Sequence, residues 1–121
     1  MAIENAQLTD TQLDVLTVPA GKRYAITNIL VCNTYSPSAA DPLTHTSSFD
    51  MHFIKDTQSL SNQLTCVVRE LTLPAGETFT FDSEKIILEA GDKVSFVAQP
   101  ENTNYGSGLT DLAVSLSYLE V

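Results

Sequence analysis

The stretch Val18-Pro19-Ala20-Gly21-Lys22-Arg23-Tyr24-Ala25-Ile26-Thr27-Asn28-Ile29-Leu30-Val31-Cys32-Asn33 decides the fold. It opens on a turn tripeptide and runs on into a segment rich in β-branched residues, which suit a pleated, half-buried surface. Alternation at period two puts Tyr24, Ile26, Leu30 and Cys32 on one face. Ala25, Thr27, Ile29 and Val31 fall on the other, so the strand is covered on both faces and belongs inside a sheet. Proline presets φ for the first central position of a turn, and glycine accepts the left-handed conformation.

The same grammar recurs along the chain. Phe49, Met51 and Phe53 alternate with Asp50 and His52; Val94, Phe96 and Ala98 alternate with Ser95 and Val97. Leu112, Val114, Leu116 and Tyr118 alternate with Ala113, Ser115 and Ser117. Pro74-Ala75-Gly76 repeats the Pro19-Ala20-Gly21 turn, and Glu89-Ala90-Gly91-Asp92 is a version without proline. These turns predict antiparallel connections between short strands. No stretch shows the i, i+3, i+4, i+7 spacing of a helix. The pattern predicts about eight strands, near residues 13–18, 22–33, 48–55, 63–73, 77–82, 84–89, 92–99 and 111–120. That is an all-β chain: a two-sheet antiparallel β-sandwich, jelly-roll-like, occupying residues 1–121 as one domain. Residues 1–11 are polar and lack an obvious partner, which suggests an N-terminal arm that orders against a neighbouring subunit. Two long connections, residues 34–48 and 99–110, are where contacts are expected.

Composition narrows the function classes. The formal charge is −9, from 6 basic and 15 acidic residues. An acidic surface repels phosphate, so nucleic acid is not an expected partner. No apolar run nears the ~20 residues of a membrane-spanning helix, so a membrane is not expected either. Residues 1–10 have neither the basic start nor the apolar segment of a signal peptide. A hydrophobic fraction of 43% is that of a globular domain rather than a disordered acidic tail.

Catalytic chemistry finds little to hold on to. His52 reads as a solvent-facing strand residue, and His45 sits in a loop with no carboxylate tied to it. Neither a nucleophile elbow, a phosphate loop, a dinucleotide fingerprint nor a His-Glu-x-x-His helix is present. Cys32 and Cys66 lie 34 positions apart and read as small core residues, not zinc ligands. Asp41, Asp82, Glu84, Asp92 and Glu101 lie in or near loops, but lack the spacing of a calcium loop and read as a solvated surface. No catalytic residue, cofactor or metal is expected. The loop tyrosines Tyr35 and Tyr105 suit either a subunit contact or a sugar platform.

The order and spacing of these motifs resemble small virion structural proteins of tailed bacteriophages. The likeness starts at the opening strand with its Cys32-Asn33 ending and continues through Leu73-Pro74-Ala75-Gly76-Glu77 and the run from Lys85 to Val94. It closes on Val114-Ser115-Leu116-Ser117-Tyr118-Leu119-Glu120, so it spans residues 15–120. The resemblance implies a non-enzymatic virion component, present as a homo-oligomer or in many copies. Its partners would be the major capsid protein or other virion proteins, with a head decoration or cement subunit as the leading role. A neck or tail accessory subunit, a connector or collar, is the alternative within that class. A carbohydrate-binding module recognising host glycan through Tyr35 and Tyr105 is the alternative outside it. Tyr35, Pro37, Asn104 and Tyr105 are the expected contact residues.

Overall fold

The computed structural model describes residues 2–35, 46–82, 86–100 and 109–121. These residues form nine strands and no helix: β1 Ala2–Thr9, β2 Leu13–Thr17, β3 Tyr24–Asn33, β4 Ser47–Ile54, β5 Cys66–Leu73, β6 Thr78–Phe81, β7 Ile86–Leu88, β8 Lys93–Pro100 and β9 Leu109–Glu120. They make two antiparallel sheets. One has the order β1-β9-β3-β6, with β7 also on β3; the other has the order β2-β8-β4-β5. β6 pairs with residues 29–32 of β3 and β7 with residues 24–26, so together they behave as one interrupted strand. Counted that way, eight strands lie in the orders 1-8-3-6 and 2-7-4-5. This is a jelly roll, as the sequence predicts.

The side chains between the sheets explain why the two layers stay together. Phe49, Met51 and Phe96 of the four-stranded sheet and Ile29, Val31, Leu112 and Leu116 of the five-stranded sheet are fully buried in one cluster. Phe49 meets Phe79 across the gap, ring centres 5.7 Å apart, and Phe53 meets Phe81 edge to face at 6.0 Å. Such pairs contribute about 0.5–1.5 kcal/mol each beyond the area they bury.

Three details correct the sequence reading. The first is β1. Residues 2–9 are not a separate arm but a strand of this chain's own sheet, in register with β9 from Ala2↔Tyr118 to Gln7↔Ala113. Leu8 is fully buried, and Gln7 Nε2 and Thr110 Oγ1 donate to the Thr110 and Leu8 carbonyls at 2.7 and 2.9 Å, pinning the two strands together.

The second is the parity of β3. Its register against β9 slips between Ile26 and Asn28, so Thr27 is an extra, bulged residue. Tyr24 and Ile26 enter the core ahead of the bulge; Ile29 and Val31 enter it after. Leu30 and Cys32 therefore sit on the outer face with Ala25, not with Tyr24 and Ile26.

The third is the turns. Lys22 N–H donates to Pro19 O, Glu77 N–H to Pro74 O and Asp92 N–H to Glu89 O. Each proline is thus the first corner of its turn, ahead of the central pair. Gly21, Gly76 and Gly91 hold the second central position at φ 77°, 80° and 86°, as a type II turn requires. None of the three closes a hairpin. Each carries the chain from one sheet to the other: β2 to β3, β5 to β6 and β7 to β8.

Candidate interaction surface

The two outer faces of the sandwich differ in charge. Behind the five-stranded sheet, β1 presents Ile3, Asn5 and Gln7 opposite Ser117, Ser115 and Ala113 of β9. On the far side of β9 lie Asn28, Leu30 and Cys32 of β3, and beyond them Thr80 and Thr78 of β6. At the other end Leu119, Ala25 and Ile87 make a further row. No residue in these rows is charged, although the chain carries 21 Asp, Glu, Lys and Arg residues in total. Ile3, Ile87 and Leu119 are among the large apolar side chains left exposed. The face has relief as well. Ala113 and Ser115 are small, and the wall residues Asn5 and Gln7 on one side and Leu30 and Cys32 on the other leave a trough of about 520 Å³ along β9.

The outer face of the four-stranded sheet carries charged side chains held in hydrogen bonds. Asp14 accepts from Ser95 Oγ at 2.6 Å and Gln12 Nε2 at 2.9 Å. Burial pushes its carboxyl up, but these bonds and the Lys93 ammonium outweigh it and hold the group below its ordinary value of 3.8. Asp50 is nearly buried; it accepts from the Glu70 amide at 2.6 Å and from Arg69 Nη1 at 2.9 Å. That carboxylate stabilises a bulged turn of β5 in which Glu70 has a left-handed φ of 48°.

His52 and Cys66 pair across β4 and β5 beside this carboxylate. His52 is not solvent-facing: it is fully buried, because the turn at residues 61–65 closes over it. Thr65 Oγ1 donates to Ser61 O at 2.9 Å and so accepts from His52 Nδ1, also at 2.9 Å, leaving Nε2 with no partner. Burial holds the imidazole below its ordinary 6.5, opposed by Asp50 and aided by Arg69. Cys66 Sγ donates to Val68 O at 3.2 Å, and burial with Asp50 pushes the thiol above its ordinary value. A neutral imidazole and a protonated thiol, each bonded elsewhere, do not make a nucleophile and its base. Cys32 and Cys66 are both free and half-buried on outer faces, not core residues.

Of the expected contact residues, Tyr35 lies just past β3, half-buried, its amide donating to Asn33 Oδ1 at 3.1 Å. Pro37, Asn104 and Tyr105 lie outside the described residues, as do His45, Asp41, Glu84 and Glu101. The strand ends that lead into those segments come together at one end of the sandwich, where Asn33 pairs with Leu112 and Ser47 with Pro100. Asn33 organises that end. It is fully buried, its amide nitrogen donates to Leu73 O at 3.0 Å, and its backbone exchanges hydrogen bonds with Glu77 and Gly76. Asp92 accepts from the Glu89 and Asp56 amides, a turn-holding role. Among the described residues, no three His, Cys, Asp or Glu side chains gather where a metal ion would fit.

The uncharged face escaped the sequence reading because Thr27 reverses the parity of β3 and because β1 reads as an arm. The signal that was there is the run Ala113, Ser115, Ser117, the small outward residues of β9. No known family model matches the chain, and neither does any curated protein or solved structure.

Proposed function

We propose that this chain is a non-enzymatic virion structural subunit of a tailed phage, a head decoration or cement protein that works through protein contacts. The observation that carries the contact role is that the named rows on the outer face of the five-stranded sheet are uncharged and partly apolar on a chain of charge −9, while Asp111, next in line on β9, is buried. A monomer gains nothing from concentrating its charge elsewhere, whereas a buried contact excludes charge from its centre. The jelly roll suits the role: its core needs no metal or disulfide, and it presents two broad faces as rigid platforms. The virion assignment rests on the motif resemblance.

The non-enzymatic part is supported by His52 and Cys66: His52 Nδ1 and Cys66 Sγ are each bonded to a structural partner rather than to one another, and burial holds the imidazole pKa down and the thiol pKa up. Imaging of purified particles with antibody against the chain tests the proposal. Many copies spread over the head support a decoration subunit, a ring at the neck or tail supports an accessory subunit, and absence from particles rejects both.

A further inference from the structure

Resting on the reading of the chain as a contact subunit, we infer that the outer face of the five-stranded sheet is covered by a second copy of this chain, packed face to face across a two-fold axis. The first argument is electrostatic. Two chains of charge −9 repel one another wherever charged surfaces meet, and the described rows of this face offer a contact free of that penalty. A basic partner, by contrast, would take its attraction from the charged face of the other sheet and gain none here.

The second argument is relief. The trough over Ala113 and Ser115 runs beside a ridge made by Leu30 and Cys32. A two-fold axis between ridge and trough seats each copy's ridge in the other's trough, so one surface supplies both halves of an isologous contact. Sheets pack in this way at about 10 Å separation with strands nearly aligned. The described face is about four strands wide, at the small end of stable interfaces, so association is reversible and rises with protein concentration.

Sedimentation equilibrium of the full chain over a series of protein and salt concentrations tests this. The expected mass rises from 13.1 kDa towards twice that value, and added salt tightens the association by screening the charge outside the contact. Ser115→Glu in the trough, and Asn5→Glu on its exposed wall, each weaken dimerisation by about tenfold or more. Thr72→Glu, exposed on the other sheet, leaves it within about twofold. In the unaltered chain, maleimide labelling of Cys32 slows as protein concentration rises while that of Cys66 does not. A mass of 13.1 kDa at every protein and salt concentration overturns the inference, as does a Thr72→Glu effect equal to that of Ser115→Glu. A monomer whose Cys32 is shielded in purified particles also overturns the second copy as occupant, yet leaves the contact-subunit reading standing. A dimer absent from particles does the reverse.

Discussion

His52 donates through Nδ1 to Thr65 and keeps Nε2 dry and unpaired, so it is a buried base held neutral by its surroundings. Its folded pKa lies below the unfolded value of 6.5, so the folded state binds the proton less readily than the unfolded chain does. Its contribution to stability is full above that value and is lost as pH falls through the folded pKa. Asp14 follows the same sign in a lower window, beginning beneath 3.8. Denaturant midpoints from pH 8 downward should therefore begin to fall near 6.5. His52→Asn, which keeps a donor for Thr65 but cannot titrate, should flatten that first limb and leave the more acidic one. An unchanged limb in the variant would assign it to another group. Asn33 is the second residue on which much depends. Asn33→Ala removes the buried bond to the Leu73 carbonyl and the part-buried one from the Tyr35 amide and should cost about 1–3 kcal/mol in equilibrium unfolding.

At the scale of elements, alternation placed eight strands within a few residues of their observed positions, since period two is a direct consequence of the pleat. It failed where geometry departs from that period. Thr27 looks like any strand residue, and nothing local marks it as the one left out of the ladder. Deleting it should turn Ile29, Val31 and Asn33 outward and Leu30 and Cys32 inward, and the chain should lose its cooperative thermal transition by circular dichroism. β1 went unread because its outward residues and the exposed Glu4 leave only Ala6 and Leu8 to signal burial. The turns were legible as turns but not as corners, because a type II turn has the same residues whether it joins partners in one sheet or strands in two. Their glycines are unequal. A Cβ on Gly21 meets nothing within 4 Å, so Gly21→Ala should cost only the left-handed backbone term of about 1–2 kcal/mol. A Cβ on Gly91 would collide with the Asp56 side chain, including its Cβ at 2.7 Å, so Gly91→Ala should lower the denaturant midpoint further than Gly21→Ala.

For the whole molecule, the surplus of acid dominates. The ion pairs among the described residues are mostly exposed, with Asp50–Arg69 the one that has a buried member, and exposed pairs contribute little. Self-repulsion at charge −9 is therefore the larger electrostatic effect, and salt should stabilise the fold rather than weaken it. The check is Tm at low and physiological ionic strength, at a protein concentration low enough to keep the chain monomeric; a fall with salt would mean that attractive pairs prevail. Charge and composition made the acidic, globular character of the molecule plain from the sequence. Which rows are left neutral depends on β1 and on one bulge in β3, and neither leaves a local mark in the sequence.

The position of β9 governs when this protein can fold during synthesis. β9 lies between β1 and β3, yet it is the most distant of the nine strands along the chain from either of them. Consecutive strands mostly alternate between sheets, and β4 with β5 is the one sequential pair that bonds directly among the described residues. A nascent chain that has reached residue 108 thus holds β1 and β3 apart with nothing to join them, and gains few near-neighbour pairings on the way. Folding waits until residue 120 has left the ribosome and then proceeds through long loop closures, in milliseconds to seconds rather than microseconds. Until that moment the aliphatic strands stand open to solvent, a window in which the acidic surplus also keeps unfinished chains from sticking to one another.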